Sequence, residues 1–209
     1  MPDVFFSADQ HWGHSIIRAH CDRPFASVDE MDEVLIQNWN SIVNFGDIVY
    51  FLGDFVWRDA KKALAIRKRL HGNIFFIEGN HDAAAHKIRN EFGWFKPVAM
   101  VKVDEQQIFL SHYAHRVWPK SHFGIFHCFA HSHGTLPDDP HSLSVDVGVD
   151  AVAQRLADKR PPLETEHEVV YGITKPEDYR PMSFDELKAI MAAKDWKPID
   201  HHGEKDEED

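Results

Sequence analysis

Residues 4–11 read Val-Phe-Phe-Ser-Ala-Asp-Gln-His, an apolar run that ends in an acid and a histidine two positions apart. The apolar part is typical of a buried strand. In an extended chain, residues i and i+2 point the same way, so Asp9 and His11 can face one cleft. This stretch therefore predicts a core strand with two polar ligands at its carboxyl end.

Apolar runs of the same kind recur along the chain and end in polar or glycine-containing sequence. They predict strands at 4–7, 48–52, 74–78, 98–103, 108–111, 125–129 and 143–147, with a further strand at 168–173. Helices are predicted over residues 27–43 and 59–72 and from Ser183 onward. A short helix is predicted between Asp82 and Gly93, with Asp82 as its N-cap rather than as a catalytic group. Strands that alternate with helices and are then followed by consecutive strands indicate an α/β core with a mixed sheet.

Five of these strands end in side chains that can bind metals. These side chains are Asp9 and His11, Asp54, Asn80, His112, and His131 with His133. Carboxylate, imidazole and amide oxygen without thiolate suit Mn²⁺, Fe or Zn²⁺ rather than a structural zinc. The carboxyl ends of strands in such sheets are where ligand sites assemble, so one metal-binding cleft is predicted there.

Together these motifs resemble the calcineurin-like metallophosphoesterase superfamily over residues 3–150. The matching motifs are D-x-H at 9–11, G-D at 53–54, G-N-H-D at 79–82, His112, and the paired histidines at 131 and 133. The resemblance implies a β-sandwich of mixed sheets flanked by helices, in four layers, αββα. Ala130 replaces the usual glycine before the paired histidines, and we expect its methyl group to crowd the backbone without removing a ligand.

Shorter stretches resemble a small prokaryotic and phage subgroup whose members are described simply as phosphoesterases or phosphohydrolases. These stretches are residues 12–14, 23–25, 38–40, 111–113 and 146–148. A proline usually follows the histidine–tyrosine pair in that subgroup, whereas this chain has Ala114.

The resemblance also implies a role for each candidate residue. One metal would be held by Asp9, His11, Asp54 and His133, and the other by Asp54, Asn80, His112 and His131. The cofactors implied are two divalent transition-metal ions, Mn²⁺ first, with Fe, Zn²⁺ or Ni²⁺ as alternatives. A hydroxide that bridges the metals would attack phosphorus in line, and His81 would protonate the leaving oxygen, so that Asp54 and His81 are the catalytic candidates.

Substrate contacts are predicted for Asn80, His81, His14 and Arg116. A surface or packing role stays open for His14 and Arg116, and packing is the preferred role for Trp12, Trp57 and Trp118. The predicted activity is hydrolysis of phosphomonoesters or phosphodiesters. The alternatives are a nuclease and a scaffold that binds metal without catalysis.

Composition and charge restrict the partners. The 209 residues carry a formal charge of −11, and residues 195–209 hold seven acids against two lysines. So acidic a chain favours a small phosphorylated substrate, nucleotide-like ones included, over a nucleic acid. The sequence does not specify an oligomeric state.

The chain's organisation is predicted to be simple. Residues 1–196 are expected to form a single domain and residues 197–209 an acidic, disordered tail. No apolar run approaches the roughly 20 residues that a membrane span needs, and the N-terminus does not resemble a signal peptide. The two cysteines lack a paired spacing, which favours a reducing, cytoplasmic location.

Overall fold

Two mixed β-sheets form the centre of the molecule in the computed structural model, which describes residues 2–164 and 169–199. The strands are β1 (Val4–Ser7), β2 (Ile48–Phe51), β3 (Asn73–Ile77), β4 (Phe95–Lys96), β5 (Val98–Val103), β6 (Gln106–Ser111), β7 (Phe126–Phe129), β8 (Ser144–Asp146), β9 (Leu163–Glu164), β10 (Val169–Val170) and β11 (Met182–Ser183). The helices are α1 (Ser15–His20), α2 (Val28–Ile42), α3 (Ala60–Arg67), α4 (Ala83–His86), α5 (Val149–Asp158) and α6 (Phe184–Ala192). Short 3₁₀ turns lie at Arg89–Glu91, Ser121–Phe123 and Pro176–Asp178.

The first sheet has the strand order β11-β1-β2-β3-β4, and the second has the order β5-β6-β7-β8. Strands β1 to β4 are parallel and β11 is antiparallel to β1. Strands β6 to β8 are parallel and β5 is antiparallel to β6. The carboxyl ends of the parallel strands therefore lie together at one edge of each sheet.

Alternation along the strands of the first sheet builds two hydrophobic cores. Phe5, Val49 and Phe51 pack with α2 and α3 on one face. Phe6 and Leu52 point the other way, into a core shared with β6, β7 and β8. The two sheets therefore face one another as a sandwich, and the mixed α/β fold is confirmed.

The loops of the two sheets meet at the ligand-bearing edge. Ala8 forms a parallel bridge with Gly148, and the Val149 N–H donates to the Ala8 carbonyl at 3.0 Å. In the first sheet, the Asp9 N–H donates to the Gly53 carbonyl at 3.0 Å. Backbone hydrogen bonds thus connect the segments that follow β1, β2 and β8.

Most predicted elements are confirmed, with boundary shifts. All seven strands from 4–7 to 143–147 are present. Of the further strand predicted at 168–173, the structure has β10 at Val169–Val170, and residue 168 lies outside the described part. The Asp82 helix has only four residues, and a 3₁₀ turn replaces its second half. Helices α1 and α5 were not predicted. Of the acidic tail, residues 200–209 are not among those described.

A buried histidine lies on the outer face of the second sheet. The His127 ring packs against Phe109 and Trp118, its Nε2 accepts the His115 N–H at 3.1 Å, and its Nδ1 lies 3.2 Å from the Phe109 carbonyl. Both ring nitrogens are therefore satisfied in the neutral form. Burial lowers the pKa of His127 to about 4.

We expect this histidine to make the fold sensitive to acid. Its folded pKa lies below the ~6.5 of an unfolded chain, so protons bind the unfolded state preferentially as the pH falls from 6.5 to 4. The free energy of unfolding should fall by about 3 kcal/mol over that window from this group alone. Denaturant unfolding of the parent and of His127→Gln at pH 7 and pH 4 measures this contribution as the difference between their pH dependences. Equal pH dependences would contradict the prediction.

No helix in the described ranges combines the length and apolar character required to cross a bilayer.

Candidate metal centre

Six of the predicted ligands form two compact clusters at the edge where the sheets meet. The first cluster is Asp9, His11 and His133, and the second cluster is Asp54, His112 and His131. Within each cluster the candidate ligand atoms lie within 4.8 Å of one another. The division matches the two ligand sets that the resemblance implies.

Asp54 lies between the clusters. Its Oδ2 is 3.4 Å from His11 Nε2 in the first cluster and 3.6 Å from His112 Nε2 in the second. Asn80 completes the second cluster, because its Oδ1 lies 2.9 Å from His112 Nε2 and 3.0 Å from His131 Nδ1. All seven predicted ligands are therefore brought together.

The backbone at this centre is unusual. Five of the seven residues have positive φ angles: Asp9 (62°), His11 (51°), Asp54 (60°), His131 (68°) and His133 (48°). Left-handed backbone is uncommon outside glycine, although aspartate and histidine tolerate it better than most residues. Such conformations concentrate at functional sites, where the surrounding structure imposes them.

Hydrogen bonds orient the rings of two histidines. The His112 Nδ1 lies 2.7 Å from the Leu52 carbonyl oxygen, and the His133 Nδ1 lies 2.7 Å from Asp150 Oδ2. A carbonyl oxygen only accepts, so His112 must donate through Nδ1, and its neutral ring then has a lone pair on Nε2. This partnership of a ring N–H with an oxygen is typical of metal-binding histidines.

The first cluster contains buried polar atoms without protein partners. Asp9 Oδ1 and His11 Nε2 are both inaccessible to solvent and accept no hydrogen bond. Burial raises the pKa of Asp9, and burial with the nearby His133 lowers the pKa of His11 to about 2. Burial also lowers the pKa of His112, so these rings are neutral and present lone pairs. Converging acceptors without donors fit a divalent cation.

Asp82 has a different role from the one predicted. It stands at the N-cap position of α4, but its side chain makes no capping bond there. Its buried carboxylate instead accepts the N–H groups of Asp54 (2.8 Å), Phe55 (2.9 Å) and Gly79 (2.7 Å). The predicted N-cap position is therefore confirmed, but the side chain does not cap the helix, because N–H groups of the loops after β2 and β3 donate to this carboxylate instead.

Glycines allow the second cluster to pack closely. A Cβ at Gly79 would lie 2.5 Å from Asp54 Oδ1 and 2.7 Å from the Asp54 backbone nitrogen. Gly53 has a φ of 96°, and a Cβ there would lie 2.7 Å from His112 Nδ1. Ala130, by contrast, is fully buried in the core between the sheets and is not among the residues with positive φ, so its methyl group is accommodated.

His81 lies beside the clusters without belonging to either. Its N–H donates to Asp54 Oδ1 at 2.8 Å, which leaves Asp54 Oδ2 facing the ligands. Its exposed ring lies with its centre 5.6 Å from that of His11 and 5.1 Å from that of Trp57. His14 stacks on Trp57 at 3.8 Å, and burial lowers the pKa of His14.

The remaining predicted residues lie outside the two clusters. Arg116 lines a separate cavity of about 500 Å³, whose walls include Trp118 and Trp196 and none of the seven ligands. Trp12 and Trp118 are buried, as the packing interpretation predicted, whereas Trp57 lies beside His14 and His81. A phosphate contact for Arg116 stays a prediction.

Arg23 and Asp150 are buried residues of the site that the motif reasoning missed. They form a bidentate pair, with distances of 2.8 Å and 2.7 Å, behind His133. An acid within the apolar run 149–153 was the available signal, because burial of such an acid requires a partner.

A third grouping, of Cys21, His133 and Asp150, is compact enough to bind an ion. The His133 Nδ1 already faces Asp150, and both oxygens of Asp150 accept from Arg23. The ligand atoms on this side are therefore already used by protein donors, and we do not assign a third metal site.

Comparison with known proteins identifies the family and a relative of this chain. The calcineurin-like phosphoesterase family matches residues 4–171. An uncharacterized protein of Methanocaldococcus jannaschii is 45% identical over 91 residues, which are 43% of this chain and 52% of that protein. The chain thus spans about half the length of this relative.

One solved structure shows the same fold at low identity, and others are similar over part of their length. A protein of unknown function from Aquifex aeolicus has a TM-score of 0.61 and 18% identity, with 91% of this chain and 100% of that chain covered. A phosphoesterase from E. coli has a TM-score of 0.43 and 17% identity, with 70% and 78% covered. The family match over most of the length is the decisive finding. This chain belongs to the calcineurin-like phosphoesterase family.

Proposed function

We propose that this chain is a binuclear, metal-dependent phosphoesterase that hydrolyses small phosphomonoesters or phosphodiesters. The observation that carries the proposal is the pair of clusters joined by Asp54, with acceptor atoms that converge without donors. When bound, two divalent cations would neutralise phosphate charge and lower the pKa of a coordinated water. Mn²⁺ is our first candidate, with Fe, Zn²⁺ and Ni²⁺ as alternatives.

The chain's own residues would position the ester and manage a proton. Asp54 Oδ2 faces a histidine of each cluster, and its Oδ1 accepts the His81 N–H. We assign the exposed His81 imidazole, which is no ligand in either cluster, to protonate the leaving oxygen. Asn80 and His14 face the same cleft beside it and would contact the phosphate.

Hydrolysis of generic esters tests the proposal. The protein would be stripped with a chelator, reloaded with Mn²⁺, Zn²⁺, Ni²⁺ or Fe²⁺, and assayed on p-nitrophenyl phosphate and bis-p-nitrophenyl phosphate. Turnover that requires reloading supports the proposal, and the preferred ester distinguishes monoesterase from diesterase. Absence of turnover with all four metals and both esters would favour a scaffold, and salt-sensitive cleavage of DNA would favour a nuclease.

Replacing His81 by asparagine should slow hydrolysis in a way that depends on the leaving group. Loss of a general acid costs typically 10²–10⁴-fold, and the loss is largest for leaving oxygens that most need a proton. We expect a larger fall in kcat with phenyl phosphate than with p-nitrophenyl phosphate, at unchanged metal content. An equal fall with both esters would contradict the acid role. His86→Asn, on the exposed end of α4, is the matched control.

We further propose a reducing, cytoplasmic location, since Cys21 and Cys128 are both free thiols.

A further inference from the structure

The Arg23 side chain is fully buried, and every one of its N–H groups has an acceptor. Its Nε and Nη2 donate to the two oxygens of Asp150 at 2.8 Å and 2.7 Å. Nη2 also donates to the Asp9 carbonyl at 2.6 Å, and Nη1 donates to the Gln10 carbonyl at 2.8 Å and to Met31 Sδ at 3.6 Å. One guanidinium therefore determines the position of the backbone that leads from Asp9 toward His11.

Asp150 extends this arrangement to the far side of the first cluster. It comes from α5, 127 residues away from Arg23 in sequence. Its Oδ2 also accepts a hydrogen bond from the His133 Nδ1–H at 2.7 Å, which leaves the His133 Nε2 for the cluster. The pair thus joins the segment of Asp9 and His11 to the ring of His133, the three members of the first cluster.

One hydrogen bond joins the two clusters, from the His131 N–H to Asp9 Oδ2 at 2.9 Å, and the second cluster has further supports of its own. The Leu52 carbonyl orients His112, and the Asp82 carboxylate holds the Asp54 backbone. Asn80 Oδ1 contacts both His112 and His131. Among the hydrogen bonds of the described residues, none connects Arg23 or Asp150 to this second cluster.

We propose that Arg23 and Asp150 are positioning residues for the first cluster alone, so that one of the two cations can be lost while the other stays bound. The inference rests on the metal binding of the proposed function. It assigns a role to the stretch 23–25, which the sequence singled out without explaining. Neither residue would bind the cation directly, because a guanidinium has only donors and both oxygens of Asp150 already accept hydrogen bonds from protein groups.

Titration of Mn²⁺ into chelator-stripped protein, followed by calorimetry and by electron paramagnetic resonance of the bound ions, tests this role. The parent should bind two ions with a spin-coupled signal. Asp150→Asn should keep one ion at the parent's affinity and bind the other about 10–100-fold more weakly, the loss typical of residues that orient a ligand. The signal should change from coupled to isolated Mn²⁺.

A control removes a second bidentate pair, whose arginine is partly exposed. Arg160 makes a bidentate pair with Asp178, at 2.6 Å and 2.7 Å, away from both clusters. Asp178→Asn should bind both ions as the parent does. Arg23→Lys is the second variant, because a lysine keeps the charge beside Asp150 without the fork that holds Asp9 and Gln10. Thermal unfolding without metal identifies which variants fold, and only folded variants are compared.

The outcomes separate this inference from the proposed function. Selective weakening of one ion in either folded variant supports it. Unchanged binding of both ions, or equal weakening of both, overturns the positioning role and leaves a two-metal site intact. A parent that binds no Mn²⁺, Zn²⁺, Ni²⁺ or Fe²⁺ would overturn the proposed function and this inference together.

Discussion

Replacing Asp54 by asparagine should abolish most of the activity, with a fall in kcat of at least about 10³-fold. Loss of a residue that merely orients a ligand costs 10–100-fold, and Asp54 faces His11 in one cluster and His112 in the other. Asparagine can still accept the His81 N–H through Oδ1, so the loop should keep its conformation. The amide NH₂ would then face the imidazole lone pairs and donate to them where a cation is required.

Metal content and ester hydrolysis, measured on the same preparations, test this prediction. The parent should hold two ions per chain after reloading with Mn²⁺, and Asp54→Asn should hold fewer at the same free concentration. Asp195→Asn, an exposed carboxylate near the end of the described chain, should match the parent in both measurements. Retention of more than a tenth of the activity by Asp54→Asn would show that neither cluster depends on the shared carboxylate.

The second large effect should come from Asp82→Ala, and it should appear in stability as well as in activity. The substitution removes the acceptor of three backbone N–H groups, those of Asp54, Phe55 and Gly79. Buried donors left without an acceptor cost about 1–3 kcal/mol each. We therefore expect the free energy of unfolding to fall by at least about 3 kcal/mol, and ester hydrolysis to fall because the Asp54 loop is released.

Urea unfolding in the absence of metal measures the loss of folding stability separately from any effect on metal binding. Asp59→Ala is the matched control, since Asp59 also accepts two backbone N–H groups, those of Lys61 and Lys62, but at an exposed helix start. Water can replace that carboxylate, so the loss should be much smaller than for Asp82→Ala. Equal losses from the two substitutions would mean that burial of the three loop donors is not what makes Asp82 important.

The parts of the fold that depend on local signals are predictable from the sequence. Ser27 accepts the Glu30 N–H and Ser183 accepts the Glu186 N–H, and both helices begin directly after these serines, as predicted. Helix α5 escaped prediction because Gly148 offers no capping side chain. The N–H of its first residue, Val149, donates instead to the carbonyl of Ala8, which is distant in sequence and follows a strand of the other sheet.

The candidate site also has a part that is predictable from local sequence and a part that is not. Its ligands are predictable because each follows a strand, and strand ends lie together in a parallel sheet. The residues that hold those ligands in place are not predictable, because the contact between Arg23 and Asp150 spans 127 residues and neither residue belongs to a ligand motif. Asp82 shows the limit most directly, since its local setting indicates a helix cap while its carboxylate serves two other loops.

The left-handed backbone of the candidate metal centre limits which substitutions could raise the thermal stability of this protein. A common route is to place glycine or asparagine wherever the chain adopts a positive φ, because those residues relieve the strain. At five positions, from Asp9 to His133, that substitution would remove a candidate ligand together with the strain. Relief is available only at left-handed residues outside the centre, such as Lys120 and Asp104. At these five residues, substitutions that relieve backbone strain would therefore also remove candidate ligands, and a variant selected for stability alone should lose the proposed metal binding first.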